Sequence, residues 1–214
     1  MEFKNNLFQL SQRAEQMRDH LKSEEATKTA IIMPFFSILG YDVFNPREFL
    51  PEYTSDFGLK KGEKVDYAIM IDENPVILIE AKPYDECLEK YDSQLCRYFS
   101  AKVAAKFGIL TNGIIYKFYT DLEEKNVMDK EPFFEFNLLS FKDNAVSELK
   151  KFRKSSLNMD TILNTAEELK YKNLIKELLK SELSAPKDEF VNYVLGKVYD
   201  KKRTQAAVER FGPI

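Results

Sequence analysis

Three ionisable residues, Asp66, Glu80 and Lys82, have the types and spacing needed to work on a phosphate group. Asp66 opens the first of two apolar runs in KVDYAIMIDENPVILIEAKP, and Glu80 and Lys82 close the second. If the runs form a hairpin that turns at residues 72–75, Asp66 and Glu80 are each about seven residues from the turn and should be neighbours. Glu80 and Lys82 are two residues apart in one strand, so their side chains share a face.

Two neighbouring carboxylates and an ammonium at the edge of an apolar sheet suggest a metal-assisted reaction. Alone, the acids would repel each other and one would hold its proton, whereas a divalent cation removes that conflict. Carboxylate oxygens with open water positions suit Mg²⁺, for which Mn²⁺ can substitute. The metal polarises a phosphate and lowers the pKa of an attacking water, while Lys82 positions or deprotonates that water or steadies the developing charge. The expected reaction is phosphodiester hydrolysis.

A plainer interpretation of Glu80 and Lys82 is a solvated pair on an exposed strand. Their position at the end of the apolar run VILI, opposite Asp66, favours a catalytic site. Charged residues next to buried strands are uncommon unless they are paired or have a function. His20 is the single histidine, so catalysis by histidine or a histidine-rich metal site is not expected.

Two helices are predicted ahead of this segment. Apolar residues recur at helical spacing over residues 5–20. Ser23 is the expected N-cap of a second helix that stops at Gly40, and Pro34 either bends this helix or marks its last regular turn.

The remaining pattern predicts a sheet. A short strand is expected at Tyr41–Phe44, followed by an irregular segment to Phe57 and a hairpin turn at 59–64. Further strands are expected at 65–71, 76–81, 107–111 and 114–120, with a strand or loop at 133–141 and a helix over 85–106. The near-continuous apolar character of 65–71 and 76–81 is typical of central strands covered on both faces. An α/β (α+β) fold is therefore expected, with a mixed sheet flanked by helices.

Composition limits the class of protein. The chain has 214 residues, 44% of them hydrophobic, and a formal net charge of −3. No apolar stretch is long enough to span a bilayer, and the charged N-terminus lacks a signal peptide core. Cys87 and Cys96 suit neither a disulfide nor a CxxC metal site, so a reduced cytoplasmic protein is expected. The net charge argues against a sequence-independent DNA coat and leaves a nuclease open, because local lysines and arginines contact phosphates.

Five segments in order carry a family resemblance. They are SEEATKTAIIMPFFSILGYDV, KVDYAI, VILIEAK, SQLCRYF and GILTNGIIYKFY. Over about residues 20–140 the chain resembles the PD-(D/E)xK nuclease superfamily, and within it the N-terminal nuclease domain of type I restriction enzyme R subunits. The resemblance implies a restriction-endonuclease-like sheet and a Mg²⁺-dependent nuclease.

The resemblance also implies roles for individual residues. Asp66 and Glu80 would bind the metal, with the backbone carbonyl of Ala81 as a further ligand, and Lys82 would be the catalytic lysine. Glu25 on the early helix would add an acid that contacts the metal, often through water.

Some of these assignments have alternatives. Glu24 is the rival of Glu25, because the frame of a helix cannot be fixed from sequence, and Glu25 could instead complement the helix N-terminus.

The resemblance extends to the predicted helix over 85–106. Gln94 and Tyr98 match the QxxxY motif of the RecB-like branch, in which these residues orient the site and contact DNA. They are four residues apart and so share a helix face, although Tyr98 could equally belong to the core. Arg97 and Lys102 could meet phosphates, while exposed helix charges are normally just solvated.

The expected organisation is a nuclease-like domain over residues 1–142, with an N-terminal helix over 1–22 packed on it. Residues 143–214 are expected to form a helical extension, which we interpret as cut short of a longer protein at ERFGPI. Type I R subunits continue into a helicase motor, and this chain has no GxxxxGK[ST] loop.

The leading function is a DNA endonuclease in restriction, phage or mobile-element biology, with endonuclease favoured over exonuclease. DNA is the expected substrate, with RNA left open, and a helicase, specificity or other defence subunit in trans is an expected partner. A homo-oligomer is compatible with the sequence, and no membrane partner is expected. The alternatives are an idle nucleic-acid-binding module on the same fold and a scaffold whose helical tail carries the function.

Overall fold

The computed structural model describes residues 2–54, 64–88, 95–97, 105–202 and 204–212. The chain forms two compact units, Met1–Glu167 and Glu168–Ile214. Most of the expected hairpin turn at 59–64 and most of the expected helix over 85–106 lie outside the described residues. Within that helix, residues 95–97 are helical and 85–88 are a turn and irregular chain. The division between a nuclease-like domain and a helical extension at residue 142 stays a prediction.

The first predicted helix is present as α1, Glu2–Met17, followed by a short 3-10 turn at Arg18–His20. Its buried side chains form one stripe at helical spacing, as expected for a helix that covers a core: Phe3, Leu7, Leu10, Ser11 and Ala14.

The second predicted helix is also present, but it is not uniform. It comprises α2, Glu24–Thr27, a π-helical turn at Lys28–Ile32, and α3, Met33–Ile38. The Ser23 side chain accepts a hydrogen bond from the backbone N–H of Ala26, which confirms the predicted N-cap. Pro34 lies two residues after the end of the π turn, as the second residue of α3. Because a proline has no N–H and its ring crowds the carbonyl four residues earlier, the wider turn ahead of it relieves that conflict.

Gly40 ends this helix as predicted. Its φ of 95° is in the left-handed region, which glycine enters without a steric penalty. The N–H of Gly40 donates to the carbonyl of Ser37, and that of Tyr41 donates to Phe36, so the last carbonyls of the helix are satisfied.

Within the described residues, six strands form one mixed sheet in the order β1-β2-β3-β4-β5-β6. Strands β3 and β4 are parallel, and the other neighbouring pairs are antiparallel. The strands are β1 Phe49–Tyr53, β2 Val65–Ile71, β3 Asn74–Ala81, β4 Phe107–Thr111, β5 Ile115–Tyr119 and β6 Phe134–Asn137. The mixed α/β fold class expected from the sequence is confirmed.

The strand predicted at Tyr41–Phe44 is wrong. Those residues enter a turn in which the Asp42 side chain accepts from the N–H of Phe44, a local bond that competes with strand pairing. The first strand lies instead in the segment predicted to be irregular. Pro51 is accommodated there because β1 is an edge strand, where a residue without an N–H need not break the ladder.

The hairpin that was expected to join the two site strands is present. Tyr67 of β2 pairs with Ile79 of β3, and the chain reverses at Asp72 and Glu73. Both turn residues have positive φ, 48° and 63°, which matches the twist of an antiparallel pair in a two-residue turn.

Large aromatic side chains fill the space between the second helix and the sheet. Phe35 of α3 stacks on Tyr116 of β5 with ring centroids 3.8 Å apart, and Phe36 packs against Phe49 of β1 at 5.3 Å. These contacts fix α3 against the sheet. Because α2, the π turn and α3 form one continuous helix, they also fix the position of α2.

After the sheet, the described residues form four α-helices, α4 Asp143–Leu149, α5 Met159–Ser184, α6 Asp188–Val198 and α7 Gln205–Phe211. In the second unit, Val191 and Leu195 of α6 form a small core with Val208 of α7. None of the described helices combines the length and apolar character needed to cross a bilayer.

Candidate active site

The ends of β2 and β3 bring Asp66 beside Ala81. Beyond the pair of Tyr67 and Ile79, the backbone N–H of Ala81 donates to Asp66 Oδ2 at 2.7 Å. If the register is continued by one residue, Asp66 lies opposite Glu80, and directly opposed residues in an antiparallel pair share a face. The neighbour relationship inferred from counting along the hairpin is therefore the one that the strands adopt.

Glu80 and Lys82 form an ion pair at the end of β3. Lys82 Nζ lies 2.7 Å from Glu80 Oε1, and only 5% of the Glu80 side chain is exposed. The backbone N–H of Lys82 donates to the carbonyl of Thr111 at 2.8 Å, which ties this residue to β4. A carboxylate as buried as this needs a compensating charge, so the pair differs from the solvated surface pair considered as an alternative.

Lys28, which was not among the residues expected from the sequence, lies at the centre of the acidic groups. Its Nζ is 2.6 Å from Glu24 Oε1 and 3.2 Å from Glu25 Oε1, and it also contacts Asp66 Oδ1. Only 8% of the Lys28 side chain is exposed. The spacing of Lys28 three and four residues after the two glutamates is the sequence signal that points to it, although such pairs are common on solvated helices.

Burial and charge act in opposite directions on this cluster. Burial lowers the pKa of Lys28, but its hydrogen bonds to Asp66 and Glu24 and their negative charges outweigh burial and raise that pKa above its usual range. Burial raises the pKa of Asp66 by more than its bonds to Lys28 and Ala81 lower it. Lys28 is therefore firmly charged at neutral pH.

The two candidate helix acids differ in their surroundings. The Glu24 side chain is 38% exposed and makes the shorter contact with Lys28, whereas the Glu25 side chain is 80% exposed. Both lie in the first turn of α2. The choice of Glu25 as the acid that contacts a metal stays a prediction, and Glu24 is the better enclosed of the two.

Helix α2 is held in place by Thr27 and Gly113. Thr27 is fully buried, and its Oγ1 accepts from the N–H of Tyr84 at 3.2 Å, which joins the helix to the chain after β3. Gly113, in the turn between β4 and β5, has a φ of 81°. A Cβ at Gly113 would stand 2.9 Å from Thr27 Cγ2. The absence of a side chain at Gly113 thus allows the helix to approach the sheet.

Three residues expected on the helix after β3, Gln94, Tyr98 and Lys102, lie outside the described residues. Arg97 is described, and it is exposed on the short helical segment 95–97. Leu95, beside it, is buried in the core.

The oxygen donors at the strand ends fit a hard divalent cation. In a strand, the N–H and C=O of one residue point towards the same neighbour, so the Ala81 carbonyl faces the strand that carries Asp66. Together with Glu80 this offers two carboxylates and a carbonyl, the donor types that Mg²⁺ and Mn²⁺ prefer. Across the described residues, no group of three or more His, Cys, Asp or Glu side chains is assembled for a metal. Lysine ammoniums are instead the cations that contact these carboxylates.

In the described residues, a six-stranded mixed sheet carries acidic and lysine side chains at the ends of two neighbouring strands, and these elements define a mixed α/β protein. Residues 56–127 match a family model described as type I restriction enzyme R protein N terminus. The match includes Asp66, Glu80 and Lys82 and ends before the C-terminal helices, and it confirms the resemblance noted from the sequence. The match indicates that residues 56–127 are similar to a restriction-enzyme-like nuclease family. No curated protein and no solved structure matches the chain.

Proposed function

We propose that this protein is a Mg²⁺-dependent deoxyribonuclease that cleaves DNA internally, with Asp66, Glu80 and Lys82 as its central residues. The observation that carries the proposal is the convergence at two strand ends, where Asp66 bonds to the amide of Ala81 and Glu80 pairs with Lys82. The family match over the same residues supports a nuclease rather than another phosphate-processing enzyme.

Asp66, Glu80 and the carbonyl of Ala81 would hold the metal, which supplies Lewis-acid activation of the phosphate and of the attacking water. The bond from the Ala81 N–H fixes the orientation of the Asp66 carboxylate. Lys82 lies on the face of Glu80, where its ammonium can orient the attacking water or stabilise charge on the phosphate. Glu25, Gln94, Tyr98, Arg97 and Lys102 are proposed as supporting metal or DNA contacts.

DNA and other restriction subunits are the partners that the family suggests. A helicase, specificity or other restriction subunit in trans is part of the same proposal. A cytoplasmic location is part of the same proposal.

One observation favours a second candidate, a catalytically idle nucleic-acid-binding module. Lys28 contacts Asp66, one of the proposed metal ligands, and so competes with a metal for that carboxylate. An idle module would bind DNA without cleaving it.

Plasmid and oligonucleotide cleavage in Mg²⁺ or Mn²⁺ separates the two candidates. We expect cleavage of covalently closed plasmid by the full chain, lost in EDTA and in Lys82→Met. Lys64→Met is the matched control. Lys64 directly precedes β2, is more exposed than Lys82 and pairs with Glu52 of β1. DNA binding without metal-dependent cleavage would establish the idle module, and cleavage that survives in Lys82→Met would remove this site from the reaction.

A further inference from the structure

One ammonium group joins two different elements at this end of the described sheet. Lys28 belongs to the helix that also carries Glu24 and Glu25, whereas Asp66 belongs to β2. The Lys28 side chain is almost fully enclosed, and a buried ammonium requires carboxylate or carbonyl partners. Lys28 thus links the helix to β2 through ionic contacts with Glu24 and Asp66.

Both carboxylate oxygens of Asp66 have a partner. Oδ2 accepts from the N–H of Ala81, and Oδ1 contacts Lys28. A cation that approaches Oδ1 meets the Lys28 ammonium at hydrogen-bond distance from the same atom. Two positive centres that share one oxygen repel each other strongly in a partly buried site.

We infer that Lys28 is the internal counter-ion of the site, a positioning residue that a divalent cation must displace from Asp66 Oδ1. The inference rests on the proposed function, because it takes Asp66 to be a metal ligand. In the metal-free protein Lys28 balances the charge of Asp66 and keeps its carboxylate aimed at the helix. With a divalent cation bound at Asp66, Lys28 would give up its contact with Oδ1.

Glu24 provides the place to which the ammonium moves. Glu24 Oε1 already lies 2.6 Å from Lys28 Nζ and is four residues away on the same helix. Glu24 is also more exposed than Asp66, so a shift towards Glu24 takes the ammonium towards solvent. The displaced Lys28 therefore keeps an ionic partner, and no buried charge is left uncompensated. This assigns Glu24 to the retention of Lys28 rather than to direct metal binding.

The test is a titration of the metal-free full chain with Mn²⁺, read by calorimetry and by the loss of the free Mn²⁺ resonance signal. Lys28→Met should bind Mn²⁺ about tenfold more tightly than the parent chain, because the competing cation is gone. Glu24→Gln should bind it several-fold more weakly, since Lys28 then depends more heavily on Asp66. The double variant should match Lys28→Met, because Glu24 acts only through Lys28. Lys64→Met is the control and should leave the affinity unchanged.

Three outcomes overturn the inference, and they differ in what else they affect. Equal or weaker Mn²⁺ binding in Lys28→Met, with binding still abolished by Asp66→Asn, refutes the counter-ion role alone. A double variant that binds as weakly as Glu24→Gln refutes the retention role of Glu24. The absence of Mn²⁺ binding in the parent chain and in Lys28→Met refutes both the inference and the proposed metal-dependent function.

A second measurement keeps the inference testable if Lys28→Met does not fold. In the parent chain labelled with ¹⁵N-lysine, addition of Mg²⁺ should shift the ammonium resonance of Lys28, assigned with Lys28→Arg. The resonance of Lys64 should stay in place. An unmoved Lys28 signal at saturating Mg²⁺ would show that the ammonium is not displaced.

Discussion

Thr27 of the second helix and Gly113 of the β4–β5 turn lie so close together that a Cβ at Gly113 would stand 2.9 Å from Thr27 Cγ2. Gly113→Ala combines this clash with a positive φ. We expect it to lower the free energy of unfolding by about 2–4 kcal/mol.

Gly40→Ala is the matched control for this substitution. Gly40 has a similar positive φ, but a Cβ there would meet its nearest neighbour, Lys154 Cβ, only at 3.8 Å. It should therefore cost only about 1–2 kcal/mol, the penalty of the left-handed backbone. Equal losses for the two variants in urea unfolding would show that contact with Thr27 is unimportant.

Asp66 contributes to stability through its acceptor oxygens as well as through its charge. Asp66→Ala leaves the buried N–H of Ala81 without its acceptor and removes one partner of Lys28. We expect a loss of about 1–3 kcal/mol in urea unfolding. Asp66→Asn, which keeps an acceptor, should recover part of the stability but not the Mn²⁺ affinity. Full recovery of metal binding in Asp66→Asn would contradict the ligand assignment.

Buried phenols predict a loss of stability at alkaline pH. Burial raises the pKa of Tyr41 above its usual value near 10, and the Tyr41 hydroxyl donates to the carbonyl of Phe152 at 2.9 Å. The folded state holds this proton more tightly than the unfolded chain does. The stability contribution is thus complete below pH 10 and falls as pH rises towards the folded-state pKa.

The measurement is the urea midpoint between pH 8 and pH 11. Tyr41→Phe should lower stability at pH 8 by about 1 kcal/mol through the lost hydrogen bond, and it should flatten the alkaline decline. Tyr193→Phe, at an exposed phenol, is the control and should leave the slope unchanged. An unaltered slope in Tyr41→Phe would assign the decline to other groups.

The first compact unit should carry the site without the second. Asp66, Glu80, Lys82 and Lys28 all lie within Met1–Glu167, and the described sheet lies there as well. A chain that ends at Glu167 should keep its β-rich circular dichroism spectrum and bind Mn²⁺ within about twofold of the full chain. Loss of metal binding with the fold retained would give residues 168–214 a role at the site.

The sequence was most informative where apolar runs are bounded by turn residues. Strands β2 and β4 begin and end as predicted, and the hairpin between β2 and β3 allowed the proximity of Asp66 and Glu80 to be inferred by counting from its turn. A fixed turn length and a two-residue side-chain period make such counting reliable. Two of the five segments that carry the family resemblance, KVDYAI and VILIEAK, lie in this hairpin.

Lys28 and β1 could not be predicted in the same way. A lysine three and four residues after two glutamates is typical of a solvated helix face, and its enclosure depends on the contact with Asp66, 38 residues away in the chain. Pro51 argues against a strand in general, and only the position of β1 at the sheet edge makes it acceptable. Both features are set by tertiary packing, which local patterns do not encode.

The π turn at Lys28–Ile32 changes the direction in which side chains before the turn point relative to side chains after it. One additional residue in a turn rotates the residues before it by about 100° relative to the residues after it. A single-residue deletion in this turn would therefore swing Glu24 and Glu25 around the helix axis while Phe35 and Phe36 keep their places in the core. The extra residue therefore sets the direction of the glutamate side chains independently of the direction of the two phenylalanines.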